Sequence, residues 1–314
     1  MELLTTDPRV GISDVGTIEQ IKEIGVGIVR ILAPNSSLMT LDGTNTYVVY
    51  DNKKTCYVVD PGPSDQGHLD HVKSIIERLD LRPKAILLTH QHLDHSEGGA
   101  LFSQDLNVEI VGRISATHGG DIIDVACKKL PLSNGSIKAI PTPGHSSDHC
   151  CFLLPSGELL SGDHILGRGT SMIAFPDGNL EEYLQSLAAL MSYPWTAILP
   201  GHGPAIPREI SKAAVAYYYG HRIVRLAQIV NLLKGNSLDP RLIVQKLYEP
   251  NLDADLFLAA ESQTRASLAA LVNRCFVTPT ENGCFVATDK PIKQLEEFLI
   301  GSNFSVSSIL DFPL

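Results

Sequence analysis

Apolar residues along the chain gather in short runs separated by helical stretches, and most runs stop at a turn marked by Gly or Pro. The runs at 27–32 and 46–50 read as strands with a turn region at 34–37 between them, and 56–59 reads as a further strand ending in Asp60-Pro61-Gly62-Pro63. A helix is expected from about residue 65 to 79, because Leu69, Val72, Ile75, Ile76 and Leu79 fall on one helical face. Strands follow at 85–88, 108–111 and 137–140. Next come a hairpin pairing 150–154 with 159–160 across Pro155-Ser156-Gly157, a helix over 180–191 and a strand at 196–199. Residues 8–24 carry little pattern and read as a loose helical or irregular lead-in.

The character changes after Pro207. A long helix is expected over 208–233, broken at 236–240, where Asp239 is placed to cap a new helix with Pro240 at its first position. Helices at 241–248 and about 256–273 follow. A hairpin of 275–278 and 284–288 then turns at Glu281-Asn282-Gly283, before a last helix (292–299) and an apolar tail. Helix, helix, hairpin is the outline of a winged-helix module. The expected division is therefore 1–207 and 208–314, the second part being a linker helix plus a winged-helix-like α+β domain.

The ends of the strands carry the chemistry. The 85–88 run leads into His90-Gln91-His92-Leu93-Asp94-His95, three imidazoles and a carboxylate within six residues. Imidazole and carboxylate are common zinc ligands, and no nearby Cys competes with them. His90 and His92 can share a face of an extended segment, whereas adjacent Asp94 and His95 diverge, so one cluster points to two metal positions. Three further strands stop at turns bearing His145, Asp163 and His202. Each such turn alone is uninformative; seven ligand-type side chains on strand-end loops are hard to explain without metal.

Composition narrows the partners. The 314 residues carry a net charge of −10, with 14 basic and 24 acidic side chains in 1–204 and 11 of each in 205–314. That balance lacks the basic field by which proteins hold long nucleic acids, and it favours small or locally bound substrates. Hydrophobic content of 44% and charged content of 19% suit a soluble globular chain. No apolar run is long enough to span a bilayer, and the first residues lack a signal or transit pattern, so no membrane association is expected and the cytoplasm is the default location. The six Cys form no C-x-x-C pair, and Cys150 and Cys151 lie on an apolar run, as buried thiols do.

The order H-x-H-x-D-H, T-P-G-H (142–145), G-D (162–163) and P-G-H (200–202) resembles the metallo-β-lactamase superfamily over residues from about 27 to 205. That resemblance implies an αββα sandwich and a binuclear hydrolase in which a metal-bridging hydroxide attacks the substrate. His90, His92 and His145 would hold the first metal and Asp94, His95 and His202 the second, with Asp163 between them and Asp94 also orienting the nucleophile. Asp60 matches a position that supports the loop network from behind. His92 stands where the superfamily's redox branch typically carries Glu, which favours hydrolysis. Two Zn2+ are expected, with Mn2+ or Fe compatible with the same ligands.

The branch most resembled includes endoribonucleases acting on single-stranded RNA, so a phosphodiester is the first expected substrate. A thioester, as in the glyoxalase II and polyketide thioesterase relatives, is the alternative. A non-catalytic winged-helix interaction protein is the third reading, and a homodimer is left open. The N-terminal extension, the tail and His164 beside Asp163 depart from the family pattern. His149 is expected behind the ligands. Asn45 and Thr46 either cap a turn or line the site floor as substrate contacts, Arg168 is a candidate substrate contact, and His221 and Arg222, with Arg225, read either as an anion clamp or as a solvated or interdomain helix face. His68, His71 and His118 read as surface or structural.

Overall fold

The computed structural model describes residues 6–299 apart from 13, 15, 114–121 and 249–251. Among these, two mixed sheets stack face to face. The first runs through β1 (Ile21–Gly25), β2 (Ile28–Leu32), β3 (Asn45–Tyr50), β4 (Thr55–Val59), β5 (Arg82–Leu87), β6 (Glu109–Gly112) and β7 (Ile122–Asp124), in that order. Its strands pair antiparallel up to β4 and parallel from β4 to β7. The parallel crossovers carry α1 (Gln66–Arg78), α2 (Leu93–Ser96) and α3 (Gly99–Leu106). The second sheet has the order β12-β11-β10-β9-β8, formed by β8 (Leu130–Leu132), β9 (Gly135–Pro141), β10 (Cys150–Leu153), β11 (Glu158–Gly162) and β12 (Ala197–Pro200). Helix α4 (Leu180–Leu190) joins β11 to β12, which lie parallel.

Period-two alternation decides which face each strand residue serves. Tyr47, Val49, Tyr57, Val59 and Leu87 meet Ile137, Cys150, Phe152 and Leu160 between the sheets. Their neighbours Val48, Val58 and Ile86 point outward and pack on Leu69, Val72, Ile75 and Phe102 of α1 and α3. On the far side, Ile140, Cys151, Leu159 and Ile198 pack against Leu184 and Leu187 of α4. The layers are thus helix, sheet, sheet, helix, the αββα order that the resemblance implied.

Beyond residue 207 lie α5 (Arg208–Leu233), α6 (Pro240–Leu247), α7 (Ala254–Asn273) and the hairpin β13 (Val277–Pro279) with β14 (Phe285–Ala287). The Asp239 side chain accepts from Leu242 N at 2.8 Å, and Pro240 opens α6 as expected. Residues 292–299 form 3₁₀ turns instead of an α-helix. The apolar cluster outside the second sheet runs on through Tyr218, Ile223 and Leu226 of α5 to Leu271 of α7 and Phe276, so the segments on either side of residue 207 share one core. Among the described residues no helix is long and apolar enough to cross a membrane.

Three strands and two helices escape the sequence pattern. β1 is a half-exposed edge strand whose Lys22 and Glu23 hide it from an apolar-run reading. β7 and β8 have three residues each, too few to show a period. α2 begins inside the His/Asp motif, and α3 opens on Gly98-Gly99. His118 and the tail after residue 299 lie outside the described residues.

Candidate metal centre

Strand β5 stops at Leu87, and His90 through His95 follow on the loop and the first turn of α2. His145 sits in the turn between β9 and β10, Asp163 just after β11, and His202 just after β12. All seven expected ligands therefore arrive at one edge of the sandwich. They fall into two sets, His90, His92 and His145, and Asp94, His95, Asp163 and His202; within each, ligand atoms lie within 4.8 Å of one another.

The turn glycines make this convergence possible. A Cβ at Gly201 would lie 2.6 Å from Asp163 Oδ1 and 2.7 Å from His95 Cε1, inside the cluster. Gly144 has φ +130 and brings its backbone so close to Tyr183 that a Cβ would sit 2.2 Å from the Tyr183 nitrogen. Any side chain at either position would displace a ligand loop.

Hydrogen bonds fix which ring nitrogen faces inward. His145 Nδ1 donates to the Met172 carbonyl at 2.6 Å, and His202 Nδ1 to the Gly43 carbonyl at 3.1 Å. His95 Nδ1 donates to Asp60 Oδ2 at 2.9 Å. The Thr89 hydroxyl gives its proton to Asp60 Oδ2 at 2.7 Å, so it accepts from His90 Nδ1 at 3.0 Å. In these four rings Nε2 is the atom turned to the cluster, and in His92 it is Nδ1, 3.0 Å from His145 Nε2.

The donor set fits metal. His95 Nε2 and His202 Nε2 are 3.2 Å apart, close to the ~3.3 Å that separates two ligands at zinc distances in a tetrahedron. His90 Nε2 is buried with no hydrogen-bond partner, an orphan a cation would satisfy. Asp163 turns Oδ1 to His95 and His202, at 3.3 Å and 3.4 Å, and Oδ2 to His145 at 3.7 Å, so it reaches both sets. The His/Asp cluster is thus able to hold metal ions.

Electrostatics divides the sets in the same way. Burial, then neighbouring imidazoles, push His90 well below the usual histidine range. Burial also lowers His145, to about 4. Burial opposes the charge on His202, but Asp163 and Asp94 overcome it and raise the ring to about 9. Asp94 is likewise penalised by burial, yet His95 and His202 hold it at about 2. A raised pKa keeps the His202 proton below about pH 9, and a metal needs that lone pair. Metal uptake at pH 7 should therefore release at least one proton, and affinity should rise with pH towards 9. Calorimetry in buffers of different ionisation enthalpy measures this; no proton release at pH 7 would contradict the assignment.

The remaining expected site residues fall behind or beside the ligands. Asp60, 2% exposed and at φ +51, also accepts from Thr89 N at 2.8 Å, and so holds both Thr89 and His95. His149 is fully buried, its ring 5.1 Å from His90 and its Nδ1 2.8 Å from the Thr142 hydroxyl. Asn45 and Thr46 are also fully buried. Asn45 donates to the carbonyls of Pro200 and Gly203, and Thr46 to that of Asp60, so both brace ligand turns instead of lining the cavity above them. Arg222, 2% exposed, donates to the Ser171 carbonyl and lies over the Tyr183 ring. Arg225 lies over Tyr248, and burial followed by Arg222 and Arg225 drives His221 to about 3. None of these three lines the cavity. Arg168 does, paired with Asp42.

His68 is buried against the Thr46 hydroxyl, and His71 is near the surface. Burial raises the Cys151 thiol to about 12, in keeping with an inert core residue. Four supports were missed. Thr89 directly precedes the motif and could have been found there. The Gly43 and Met172 carbonyls carry no sequence signal. Nor does Arg9, which is buried and donates to the carbonyls of Leu166 and Gly169 on the loop after Asp163.

A family model described as metallo-beta-lactamase superfamily matches residues 39–117. The chain is 33% identical over 250 residues to the Beta-lactamase-like protein 2 homolog of Drosophila melanogaster, covering 74% of this chain and 83% of the relative. It is 30% identical over 193 residues to the atrochrysone carboxyl ACP thioesterase AgnL7 of Paecilomyces divaricatus, covering 60% of each chain. A beta-lactamase domain protein from Burkholderia ambifaria has the same fold, with a TM-score of 0.72 at 20% identity over 85% of this chain and 93% of that one. A third of positions shared along most of the Drosophila relative, on a sandwich whose loops gather this cluster, makes the chain a member of the metallo-beta-lactamase superfamily.

Proposed function

We propose that the chain is a two-zinc hydrolase of acyl thioesters. The observation that carries this reading is the wall of the cavity above the cluster. It has a volume of about 520 Å³, with His92, Asp94, His145 and Asp163 at its floor. Its sides are mainly apolar: Leu38, Met39, Leu41, Leu166, Met172 and one face of α7. An apolar, largely preformed cavity suits an acyl group. Phosphodiester backbones call for cations and stacked bases for aromatic platforms. Among the described lining residues the only cation is Arg168, which already pairs with Asp42, and the only aromatic besides the imidazoles is Tyr248. The cavity therefore weighs for the alternative substrate over the RNA expected first, as does the likeness to a relative named as an ACP thioesterase.

When bound, two divalent cations supply a nucleophile from water near neutral pH and polarise the electrophile's oxygen. His90, His92 and His145 would hold one and Asp94, His95 and His202 the other, with Asp163 facing both. The all-imidazole and carboxylate donor set suits zinc and also admits manganese or iron. Asp94, ionised and opening on the cavity, would accept a hydrogen bond at Oδ from the attacking water or hydroxide and orient its lone pair towards the substrate. A departing thiolate, whose parent thiol has a pKa of about 8.5, leaves without a proton from the protein. Neither floor carboxylate is poised to give one: Asp94 and Asp163, despite burial, are both held below the usual carboxylate range by facing His95 and His202. Residues 208–299, whose helix–helix–hairpin order we read as winged-helix-like, supply the roof of this cavity through α7, and a division near residue 207 places the cavity at their junction.

The test is turnover by the zinc-loaded full chain of acyl thioesters against a short unstructured RNA. Thioester hydrolysis at micromolar enzyme, lost in Asp94→Asn, supports the reading. RNA cleavage without thioester turnover overturns it and restores the phosphodiester.

A further inference from the structure

We propose that the face of α7 bearing Leu256, Ala259, Ala260 and Gln263 is the gauge that sets which acyl chain lengths the enzyme accepts; this rests on the thioester reading above. The four positions are spaced 0, 3, 4 and 7, which is one helical stripe, and all four line the cavity opposite the ligands. Each is half-buried, as cavity-facing residues are, while Ala266, Leu268, Ala270 and Leu271 of the same helix enter the core.

The stripe is held at a fixed distance from the reacting centre. The Ser262 hydroxyl donates to the Phe175 carbonyl at 3.1 Å, and Gln263 Oε1 accepts from Ile173 N at 3.4 Å. That short stretch directly follows Met172, whose carbonyl orients His145. At the far end of the helix, Arg274 and Asn273 bind the Glu181 carboxylate of α4. The helix therefore cannot swing aside without disturbing a ligand loop.

The two central positions of the stripe are both Ala. Their missing side-chain volume is what leaves room between α7 and Met172. A thioester's acyl chain gains from this apolar wall, whereas its amide-rich thiol arm does better directed to water. Each methylene seated against the wall should raise kcat/KM about four-fold, from the transfer energy of a CH2 group, until the chain meets the helix. Beyond that length kcat/KM should fall.

The experiment measures two chain-length series, from two to twelve carbons. One is hydrolysis of acyl-N-acetylcysteamine thioesters by the zinc-loaded enzyme. The other is calorimetric binding of the matching non-hydrolysable S-alkyl thioethers. Wild type should show a break at one chain length in both. Ala260→Leu, which keeps helix propensity, should move the break about two to three carbons shorter. Leu256→Ala should move it longer, and Ala259→Leu stands in if Ala260→Leu fails to fold. A break that stays put in the folded variants, or no break in the wild type, overturns the gauge. Absence of any thioester turnover by the wild type instead overturns the reading beneath it, and the thioether binding series distinguishes the two failures.

Discussion

Replacing Asp94 by Asn should lower kcat by about 10²-fold, the cost of losing the orientation of a reacting group, while leaving the fold intact. Of the cluster's carboxylates Asp94 is the more open, its side chain 31% exposed against 12% for Asp163. Burial disfavours its charge, but His95 and His202 hold it at about 2, so it is ionised throughout the working range and accepts hydrogen bonds without taking up a proton. Asn keeps the shape and one oxygen but lacks the charge and the second acceptor oxygen. The main-chain carbonyl of residue 94, which accepts from the Thr44 hydroxyl at 2.8 Å, is untouched by the change, so the loop should hold. Measuring kcat together with metal content decides the matter. Normal turnover at normal metal content would remove Asp94 from the chemistry, and lost metal would make it a ligand first and an acceptor second.

The second large effect is expected at a residue that touches neither substrate nor metal. Asp60→Ala should destabilise the metal-free protein by about 3–5 kcal/mol, the cost of breaking a buried charged pair from one side, and weaken metal binding about 10- to 100-fold. Three donors converge on this one carboxylate: Thr89 N, the Thr89 hydroxyl and His95 Nδ1. Its removal leaves them buried and unpaired and frees the Thr89 hydroxyl to turn away from His90. The left-handed backbone at φ +51 is strain that the three hydrogen bonds sustain, and without them the turn is expected to relax. Thermal melts of the metal-free protein and competitive zinc titration read the two effects separately. An unchanged melt would show that His95 finds its orientation elsewhere.

Thioester turnover and the chain-length break complete the picture at a lower level, since both depend on the ligand cluster being assembled first. That order of dependence is itself useful: Asp60→Ala should reduce turnover of every substrate alike, whereas changes on α7 should alter the ratio between long and short acyl groups.

The chain by itself placed the seven ligand-type side chains at strand ends, because each is set by its own strand and its own turn. A short apolar run such as Ala85 to Leu88, and a Gly that alone fits beside Asp163, are local facts written in local residues. The layer order came from the family resemblance, since β3 and β4 are apolar on both faces and their pattern does not say what covers each. Polar edge strands and three-residue strands were out of reach, because neither length nor hydropathy separates them from loop.

Only the tertiary structure decided what surrounds the ligands. The tautomers of His145 and His202 rest on the carbonyls of Met172 and Gly43, groups that every residue possesses and no sequence advertises. Asn45, Thr46 and Arg222 carry the side chains of substrate contacts, yet close packing turns them into braces, since a buried polar group must find a partner wherever the fold leaves one. The apolar roof over the cluster comes from α7, more than 150 residues along the chain from His90. Such a juxtaposition follows from how α5 and α7 share a core with the second sheet. It is a property of packing between distant segments, so the substrate reading rests on the structure, whereas the ligand-type side chains could be read directly from the sequence.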